Sequence, residues 1–449
     1  MNFTYEDLFQ KPYFYHKSVF NLNPFVASQL SYIKRIENYP FYFFETLMPE
    51  PPKNYGSGLI EDGLNYGHGS SFKNPEEALT KSIFEALERK FSKIYNPTKL
   101  IFDSYHNLKK RAVNPEIFSL PSREEYKKNN LPYVPYTPKL RLGWIKSYQV
   151  FPKKMQPVLI PAALVYSRYS WRNKKEWFTP NLSPGIACHL NYRNSFLRGL
   201  LELIERDAFM ITWLHQLICP KIKIESKDLN EAQAVFDHLT FLGFSVDFIN
   251  ITTDINIPVI LTIITNPSLN WNKTMVLGLG CHLSPLLALK KSFLEALSAI
   301  TNYLYFDYEK KEIKVYPEKV KKKFSLNYKV YYKQAEFLGK SKNSLKIKDI
   351  PGYDRQDAGK NLEYLIQHLN QKELETFFID LTPNELKESH AFCLTRALIS
   401  GIQPMLYETD CWRFSNKRVF TAKSQMGKTT KKITQFKDLF LAPHPLAGM

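Results

Sequence analysis

Two segments of the sequence place two glutamates and an arginine at the same spacing. The pattern Glu-x-x-Glu-Arg occurs in FEALERKF (84–91) and in LLELIERDAF (200–209), and KSFLEAL (291–297) carries one glutamate in the same frame. Residues at i, i+3 and i+4 share one face of a helix, so each segment would present its charged side chains together. The residues concerned are Glu85, Glu88, Arg89, Glu202, Glu205, Arg206 and Glu295.

These charged positions admit two interpretations. One is a surface ion pair on an amphipathic helix, which contributes only about 0.3–0.5 kcal/mol. The other is a partly buried cluster, in which five carboxylates are costly unless cations neutralise them, and two arginines are too few. Mg²⁺ binds carboxylate oxygens and shares its coordination with phosphates. The repetition of the motif favours the second interpretation and predicts a Mg²⁺–phosphate site assembled from distant helices.

Three helices must position these residues. The first is predicted to begin with Asn74 as N-cap, Pro75 in the first helical position and Glu77 at the capping-box position. The second covers SFLRGLLELIERDAFMITWL, and the third opens at Ser284 and Pro285. The glycine-containing segments YGHGSS, SPGIACH and GLGCH precede the three helices and are predicted to be loops.

Strands and helices are mixed through the rest of the chain. Predicted strands include GWIKSYQV, PVLIPAALVYS, FSVDFINIT, IPVILTIIT, FFIDLT and the region of HAFCLTRALISGIQPM. Further helices are predicted around DLNEAQAVFDHLTFLG and NLEYLIQHLN. This mixture predicts an α/β (α+β) fold with mixed sheets.

Composition limits the class of protein. The chain has 449 residues, 44% of them hydrophobic and 23% charged, as in ordinary soluble proteins. Its five cysteines are scattered without a CxxC pair, which argues against a disulfide framework or a zinc knuckle. No apolar stretch has the length of a membrane span, and the N-terminus lacks the pattern of a signal peptide. A cytoplasmic location is expected.

The net charge of +18 raises three classes of partner, namely nucleic acid, a polyanionic small molecule such as ATP, and an acidic peptide. Many lysines lie in 308–334 and 421–437, runs that are typical of solvated surface. No nucleic-acid-binding motif supports the first class. MGKTTKK matches a Walker A loop only in part, because Ala422 stands where the first glycine would be. His282 is predicted to order a loop rather than bind a metal.

Taken together, the motifs resemble the YcaO family, whose members use ATP to activate peptide backbone amides. The resemblance runs from about residue 56 to the end and predicts an N-terminal extension (1–55) and a YcaO domain (56–449). A basic insertion (about 308–350) and a proline-containing tail (441–449) are predicted within that domain. The segments that carry it are EALERKF, VLIPAALVY, SPGIACHLN, LLELIERDAFMITW, GLGCHLSPLLALKKSFLEAL, FIDLT, SGIQPM and PHPLAGM.

The resemblance implies a reaction and a set of residue roles. In the azoline-forming branch, a Cys, Ser or Thr side chain of a ribosomally made precursor peptide attacks the preceding carbonyl. The resulting oxygen takes the γ-phosphoryl group of ATP, and loss of phosphate leaves a thiazoline or (methyl)oxazoline. By position, the metal ligands for Mg²⁺ would be Glu85, Glu88, Glu202, Glu205 and Glu295. ATP would contact Arg89, Arg206, Lys291, Ser82, Lys81 and His68, and Pro443 and Pro445 of the tail would assist catalysis.

The resemblance also implies partners. Such enzymes commonly act in a multi-protein synthetase complex, with an E1-like protein that binds the leader of the precursor peptide and, in some cases, a flavin dehydrogenase. Neither nucleic acid nor a membrane is expected as a partner.

Several positions depart from the family pattern. His68 replaces a usual Lys, Lys81 a usual Ser, Leu190 a usual Asn and Asn194 a usual Glu, while Ser298 and Ile300 replace a usual Gln and Arg. Three functions therefore stay open: a cyclodehydratase with an altered ATP site, a thioamide-forming YcaO, and a non-catalytic scaffold subunit of a synthetase.

Overall fold

The computed structural model describes most of the chain. It covers residues 29–32, 41–48, 65–128, 130–169, 174–266, 274–308, 333–387, 392–405, 411–422, 433–442, 444 and 446. Within these residues, no helix is both long and apolar enough to cross a membrane.

The described strands form three sheets, which confirms the expected mixture of strands and helices. A three-stranded sheet has the order β1-β2-β3, a five-stranded sheet β11-β10-β9-β8-β12, and a six-stranded sheet β4-β5-β13-β14-β7 with β6 beside β5. All pairings between these strands are antiparallel except that of β12 with β8. The strands are β1 (Gln29–Tyr32), β2 (Tyr42–Met48), β3 (Asn65–Ser71), β4 (Ile101–Ser104), β5 (Arg141–Phe151), β6 (Lys154–Pro161), β7 (Ile186–His189), β8 (Lys221–Lys223), β9 (Ser245–Asn250), β10 (Val259–Asn266), β11 (Thr274–Cys281), β12 (Ser344–Lys346), β13 (Thr376–Asp380) and β14 (Cys393–Ile399).

Three long helices pack on these sheets and match the three predicted helices. The α-helices of the described chain are α1 (Pro75–Phe91), α2 (Tyr105–Leu108), α3 (Arg123–Lys128), α4 (Ala162–Val165), α5 (Tyr192–Leu214), α6 (Ser226–Leu229), α7 (Gln233–Phe241), α8 (Pro285–Tyr308), α9 (Ala358–Gln371), α10 (Asn384–Lys387) and α11 (Arg418–Thr421). The site motifs lie on α1, α5 and α8.

The cap of α1 differs from the prediction in one contact. Asn74 accepts a hydrogen bond from the Glu77 backbone N–H at 2.7 Å, as an N-cap should. The Glu77 carboxylate, however, accepts a hydrogen bond from the Ser71 hydroxyl at 2.6 Å and pairs with Lys81 at 2.8 Å. The side chain predicted to complete a capping box instead ties the helix to the end of β3.

The glycine segments predicted to be loops are largely strands. YGHGSS belongs to β3, GLGC to β11 and IACH to β7. The reason lies in the alternation of glycines: a Cβ atom at Gly69 would stand 1.9 Å from the Ala78 carbonyl oxygen, and one at Gly280 would stand 2.0 Å from that of Ala288. Glycine there lets each strand lie directly on its helix. The sequence predicted loops here because glycine is common in turns, and it did not indicate that these glycines allow a strand to pack against a helix.

The same close packing occurs in two strand-pair-and-helix units. In β2–β3–α1, Thr46 pairs with Gly67 and its hydroxyl hydrogen bonds to Ser82 at 2.8 Å. In β10–β11–α8, Thr262 pairs with Gly278 and bonds to Ser292 at 2.7 Å. The sequence similarity between the helices therefore reflects a repeated structural unit.

Substitution Gly69→Ala is expected to destabilise the protein because the new methyl group would overlap the backbone of α1. Overpacking of this kind costs about 1–3 kcal/mol, measured as the free energy of unfolding in urea. Gly339→Ala is the matched control, since a methyl group at that position would have no other atom within 4 Å. Equal stability of the two variants would contradict the close packing.

One further segment differs from its prediction, and the predicted insertion is described only in part. In PVLIPAALVYS, the strand β6 ends at Pro161 and AALV forms the short helix α4. Of the predicted basic insertion, 309–332 lies outside the described residues, whereas Ser344–Lys346 forms β12 and joins the five-stranded sheet. That part of the segment belongs to the sheet itself.

Candidate functional site

The first and third glutamate motifs are fixed in the same way. Glu85 on α1 accepts a hydrogen bond from the His68 backbone N–H at 2.7 Å. Glu295 on α8 accepts one from the Leu279 backbone N–H at 3.0 Å. In both units the N–H belongs to the residue between the two packed glycines, so the strand that lies on the helix also orients the carboxylate.

The second motif uses a loop in place of a strand. Glu202 on α5 accepts a hydrogen bond from the Gly185 backbone N–H at 2.9 Å. Gly185 has a φ of +95°, a conformation that favours glycine. The close approach is completed by Gly199 of α5, where a Cβ atom would stand 2.6 Å from the Gly185 carbonyl oxygen.

The two arginines of the motifs lie between the carboxylates. Arg89 pairs with Glu85 at 2.6 Å. Arg206 stands 3.7 Å from Glu202 and 3.4 Å from Glu205, and the Glu205 side chain is only 5% exposed. These arginines neutralise part of the negative charge.

The negative charge that the arginines leave unneutralised raises the pKa values of some of these carboxyl groups. Burial raises the pKa of Glu88 well above its ordinary value, and the charges of Glu202 and Glu85 raise it further. Burial likewise raises the pKa of Glu202, while Arg206 opposes the rise. These mutual effects mean that glutamates from different helices lie near one another.

Glu295 extends the set to the third helix. Burial and then the neighbouring Glu205 charge raise its pKa to about 7, although Arg206 lowers it. The structure therefore brings together the five predicted metal ligands, which we call the acidic cluster: Glu85, Glu88, Glu202, Glu205 and Glu295.

The raised pKa of Glu295 predicts a pH effect on the metal-free protein. Between pH 4.5 and about 7 the folded state keeps a proton that the unfolded state has lost. Stability in EDTA should therefore fall by roughly 1–3 kcal/mol as pH rises through this window. Urea unfolding of the native protein and of Glu295→Gln at several pH values measures the difference. The same pH slope in both proteins would contradict the assignment.

The donor set of the acidic cluster fits Mg²⁺, a hard cation that takes carboxylate oxygens. Among the described side chains, no three His, Cys, Asp or Glu groups already stand in an arrangement that could hold a metal ion. Arg89 and Arg206 now pair with the carboxylates that an ion would need. Binding of Mg²⁺ would therefore require these two side chains to move away from the carboxylates.

Lys81, Lys291 and His68 were also predicted to contact ATP. Lys81 and Lys291 flank the acidic cluster, whereas the His68 side chain does not face α1. Lys81 and Lys291 each stand four residues before a cluster glutamate, and their ammonium groups donate to backbone carbonyls. The His68 imidazole bonds to Glu45 at 2.9 Å and stacks on Phe43. Its neighbours in β3 turn their α-carbons toward α1, so the imidazole points to the opposite face of the sheet.

Ser82 takes part in packing. Its side chain is fully buried, and its hydroxyl bonds to Thr46 and donates to the Leu79 carbonyl at 2.8 Å. Because Ser292 makes the equivalent contacts in the α8 unit, we assign both serines to the join between strand and helix. Ser82 is therefore left out of the candidate nucleotide site.

The C-terminal tail lies along α5, one turn beyond the second motif. Pro443 and Pro445 are outside the described residues. His444 between them is 1% exposed and meets the Phe209 ring edge-on at 5.3 Å. The Trp213 indole N–H donates to the Ala442 carbonyl at 2.9 Å. The catalytic role predicted for the two prolines stays a prediction.

His282 lies beside the N-terminus of α8. Its Nδ1 accepts a hydrogen bond from the Ser284 backbone N–H at 3.0 Å. Burial, with the nearby Lys291 and Arg198 charges, lowers its pKa to about 4, which leaves it neutral at pH 7. These contacts confirm the predicted loop-ordering role.

Two features of the site were missed from the sequence. Arg198 stands four residues before Glu202, the position that Lys81 and Lys291 occupy in the other two motifs, and extending the repeat by one turn could have found it. Nothing in the sequence indicated the buried ion pair between Asp207 and Arg418, because the two residues lie 211 positions apart in the chain.

Comparison with known proteins agrees with this arrangement. The chain matches the family described as YcaO cyclodehydratase, ATP- and Mg²⁺-binding, over residues 67–403. The chain belongs to the YcaO family. A curated relative, an uncharacterized protein in the tfuA 3' region of Rhizobium leguminosarum bv. trifolii, is 31% identical over 126 residues, which cover 25% of this chain and 29% of that protein.

Solved structures share the fold at low sequence identity. A heterocyclase in complex with substrate and cofactor has a TM-score of 0.72 at 16% identity and covers 93% of this chain and 54% of its own. YcaO from Methanopyrus kandleri bound with AMPPCP and Mg²⁺ has a TM-score of 0.57 at 16% identity, and the match covers 84% of this chain and 85% of that protein's chain. The E. coli microcin synthetase McbBCD complex has a TM-score of 0.59 at 13% identity, and the match covers 87% of this chain and 91% of the matched chain. This YcaO chain thus spans about half of the heterocyclase that it matches.

Proposed function

We propose that this YcaO protein is an ATP- and Mg²⁺-dependent cyclodehydratase of a ribosomally made precursor peptide. The observation that supports it most strongly is the acidic cluster, in which glutamates from α1, α5 and α8 come together around Arg206. A repeated surface ion pair would explain none of the mutual pKa shifts between helices.

The proposed reaction activates an amide oxygen. A Cys, Ser or Thr side chain of the peptide loses its proton and attacks the preceding carbonyl carbon, and the former carbonyl oxygen takes the γ-phosphoryl group of ATP, which releases ADP. Phosphate then leaves, the ring nitrogen loses its proton, and an azoline, ADP and phosphate remain. Such a transfer depends on positioning and on neutralising the phosphate charge.

This chain's residues would serve that demand in two ways. The acidic cluster would hold Mg²⁺, which neutralises phosphate oxygens when bound. Arg89 and Arg206, once they leave their carboxylates, would contact the nucleotide. The backbone N–H groups of His68, Gly185 and Leu279 keep their cluster carboxylates oriented throughout.

The proposed partners follow from the family resemblance and from two solved relatives. The E. coli microcin synthetase is a three-protein complex, McbBCD, and has also been solved with pro-MccB17 bound. We propose that this chain likewise acts in a synthetase complex, with an E1-like leader-binding protein, a precursor peptide and in some cases a flavin dehydrogenase. The net charge of +18 suits an acidic leader or partner.

The test combines the chain with precursor peptide, partner protein, ATP and Mg²⁺ and measures peptide mass. Cyclodehydration removes one water for each ring, in step with ATP consumption. A sulfide-dependent gain from exchange of oxygen for sulfur would instead identify a thioamide-forming enzyme. Failure to bind ATP with Mg²⁺ in calorimetry would identify a non-catalytic scaffold subunit.

A further inference from the structure

A cavity beside the acidic cluster is lined by residues of α4, α5 and β14 and of nearby loops. It encloses about 560 Å³, including space that is open to solvent, which is within the range of sites that bind small ligands. Apart from Ser119 and three arginines, its described lining residues are apolar. They include Leu164 of α4, Leu203 of α5 and Leu398 of β14. We call this space the arginine cavity, after the lining residues Arg206, Arg396 and Arg413.

The arginine cavity shares part of its wall with the acidic cluster. Arg206, which lies 3.7 Å from Glu202 and 3.4 Å from Glu205, is one of the lining residues. The loop 180–185 contributes further lining residues, and Gly185 of that loop donates its N–H to Glu202 at 2.9 Å. Direct contacts therefore place the cavity next to the carboxylates.

Arg396 places a buried hydrogen-bond donor at the wall of the arginine cavity. The residue is 3% exposed, and its Nη1 donates to the carbonyl oxygens of Leu182 and Ser183 at 2.9 Å each. Its Nε has no hydrogen-bond partner among the described residues. Because a buried donor without an acceptor is unfavourable, a ligand that brings an oxygen atom to this guanidinium would stabilise the arrangement.

Carboxylates near the arginine cavity already oppose its positive charge. Arg206 pairs with two glutamates of the acidic cluster. Burial lowers the pKa of Arg396 to about 10, and the charge of Glu202 limits the fall, so this arginine is charged at pH 7. Burial also lowers the pKa of Arg413, and the charge of Glu125 limits that fall. A ligand therefore need not be an anion, and a neutral carbonyl oxygen suits the donor of Arg396.

The wall formed by Arg413 is held in a strained backbone conformation. Arg413 has a φ of +60°, which is uncommon for a residue other than glycine. The Glu125 carboxylate accepts the backbone N–H groups of Arg413 and of its neighbours Trp412 and Phe414. Arg413 Nε donates to the Ser119 carbonyl oxygen. Strain of this kind persists where surrounding contacts fix it, so the cavity is preformed.

We propose that the arginine cavity binds an apolar side chain of the precursor peptide, that of the residue immediately before the cyclised Cys, Ser or Thr. This inference rests on the proposed function, because it places the activated amide at the acidic cluster. The cyclised side chain is engaged in its attack on the carbonyl carbon, so the nearest free side chain belongs to the residue that carries this carbonyl. Apolar walls would bury that side chain, and Arg396 would donate to a carbonyl oxygen of the peptide.

The test is photo-cross-linking of the full chain in EDTA without ATP, so that it measures peptide binding alone. The probe is acetyl-Ala-Gly-photoleucine-Ser-Gly-amide, whose diazirine lies on the proposed side chain, and mass spectrometry locates the attachment. Cross-links are expected on Leu203, Leu398 or Ile402. The same peptide with leucine should compete at about tenfold lower concentration than the peptide with glycine, which is the discrimination expected of an apolar pocket.

Two variants test the apolar wall and the donor separately. Leu182→Trp adds bulk at a partly exposed lining residue and should remove the preference for leucine over glycine. Leu242→Trp makes the same change at a leucine that is 50% exposed and outside the lining, and should keep the preference. Arg396→Lys keeps the charge but removes Nε, and should weaken competition by both peptides about tenfold.

The proposal would be overturned if cross-links were absent or confined to residues outside the cavity, or if Leu182→Trp kept the native preference. A peptide with glutamate at the probe position that competed better than the leucine peptide would also overturn it, because the arginines would then select an anion. Because the assay needs neither ATP nor Mg²⁺, cross-linking in the cavity would stand even if no peptide were cyclised. Cyclodehydration without cross-linking in the cavity would overturn this inference alone.

Discussion

Glu202→Gln is expected to reduce azoline formation at least about 100-fold, the scale seen when an electrostatic contact to a reacting group is removed. Glu202 is the middle member of the acidic cluster: it accepts the Gly185 N–H and faces Arg206, and its charge reaches Glu88. The amide keeps the shape of the side chain but removes the negative charge that Mg²⁺ requires. The rate of water loss from the peptide, followed by mass spectrometry, measures the effect.

The matched control for this variant is Glu363→Gln. Glu363 lies on α9, its side chain is 46% exposed, and it pairs only loosely with Lys153 at 3.6 Å. It should keep the native rate, and both variants should melt near the native temperature. A Glu202→Gln protein that modifies peptide within threefold of the native rate would remove Glu202 from the metal site.

Asp207→Ala is expected to lower the free energy of unfolding by about 3–5 kcal/mol, the cost of removing one partner of a buried ion pair. Asp207 is fully buried on α5 and accepts hydrogen bonds from Arg418 at 2.6 Å and from the Gln403 backbone N–H at 2.8 Å. Arg418, whose side chain is 9% exposed, would lose this partner and keep Asp254 and a long hydrogen bond to the Thr253 hydroxyl at 3.5 Å. Urea unfolding measures the change.

Asp254→Ala provides the comparison for this pair. Asp254 also contacts Arg418, at 2.9 Å, but its side chain is 40% exposed, so its loss should cost less than about 1 kcal/mol. Similar costs for the two variants would contradict the view that burial makes Asp207 the main partner. The buried pair matters for function because it fixes α5 against the segment that leads into the C-terminal tail.

The elements that carry the site were predictable because their signals are local. Asn74 caps α1, and Pro285 opens α8 at the expected position. The glycine segments before these helices were assigned wrongly, because only the packed structure shows that glycine alternation in β3 and β11 serves helix contact. A turn and a tightly packed strand both use glycine, and a single sequence does not separate them.

The site itself was partly predictable. The shared spacing of the three motifs anticipated the acidic cluster, since repeated carboxylates on apolar helices need a common explanation. Ser82 was assigned by position to ATP, yet burial against Thr46 gives it a packing role. Arg198 was missed because the comparison of the three motifs began at their glutamates. Extending that comparison by one turn aligns Arg198 with Lys81 and Lys291.

We propose that Mg²⁺ and a nucleotide bind where α1, α5 and α8 meet. The most direct measurement is a crystal structure grown with a non-hydrolysable ATP analogue and Mn²⁺ in place of Mg²⁺, with anomalous scattering used to locate the metal. Anomalous density is predicted within coordination distance of carboxylates from at least two of the motifs that contain Glu85, Glu202 and Glu295. Nucleotide bound with its metal elsewhere, and with Arg206 still paired to Glu202 and Glu205, would contradict it.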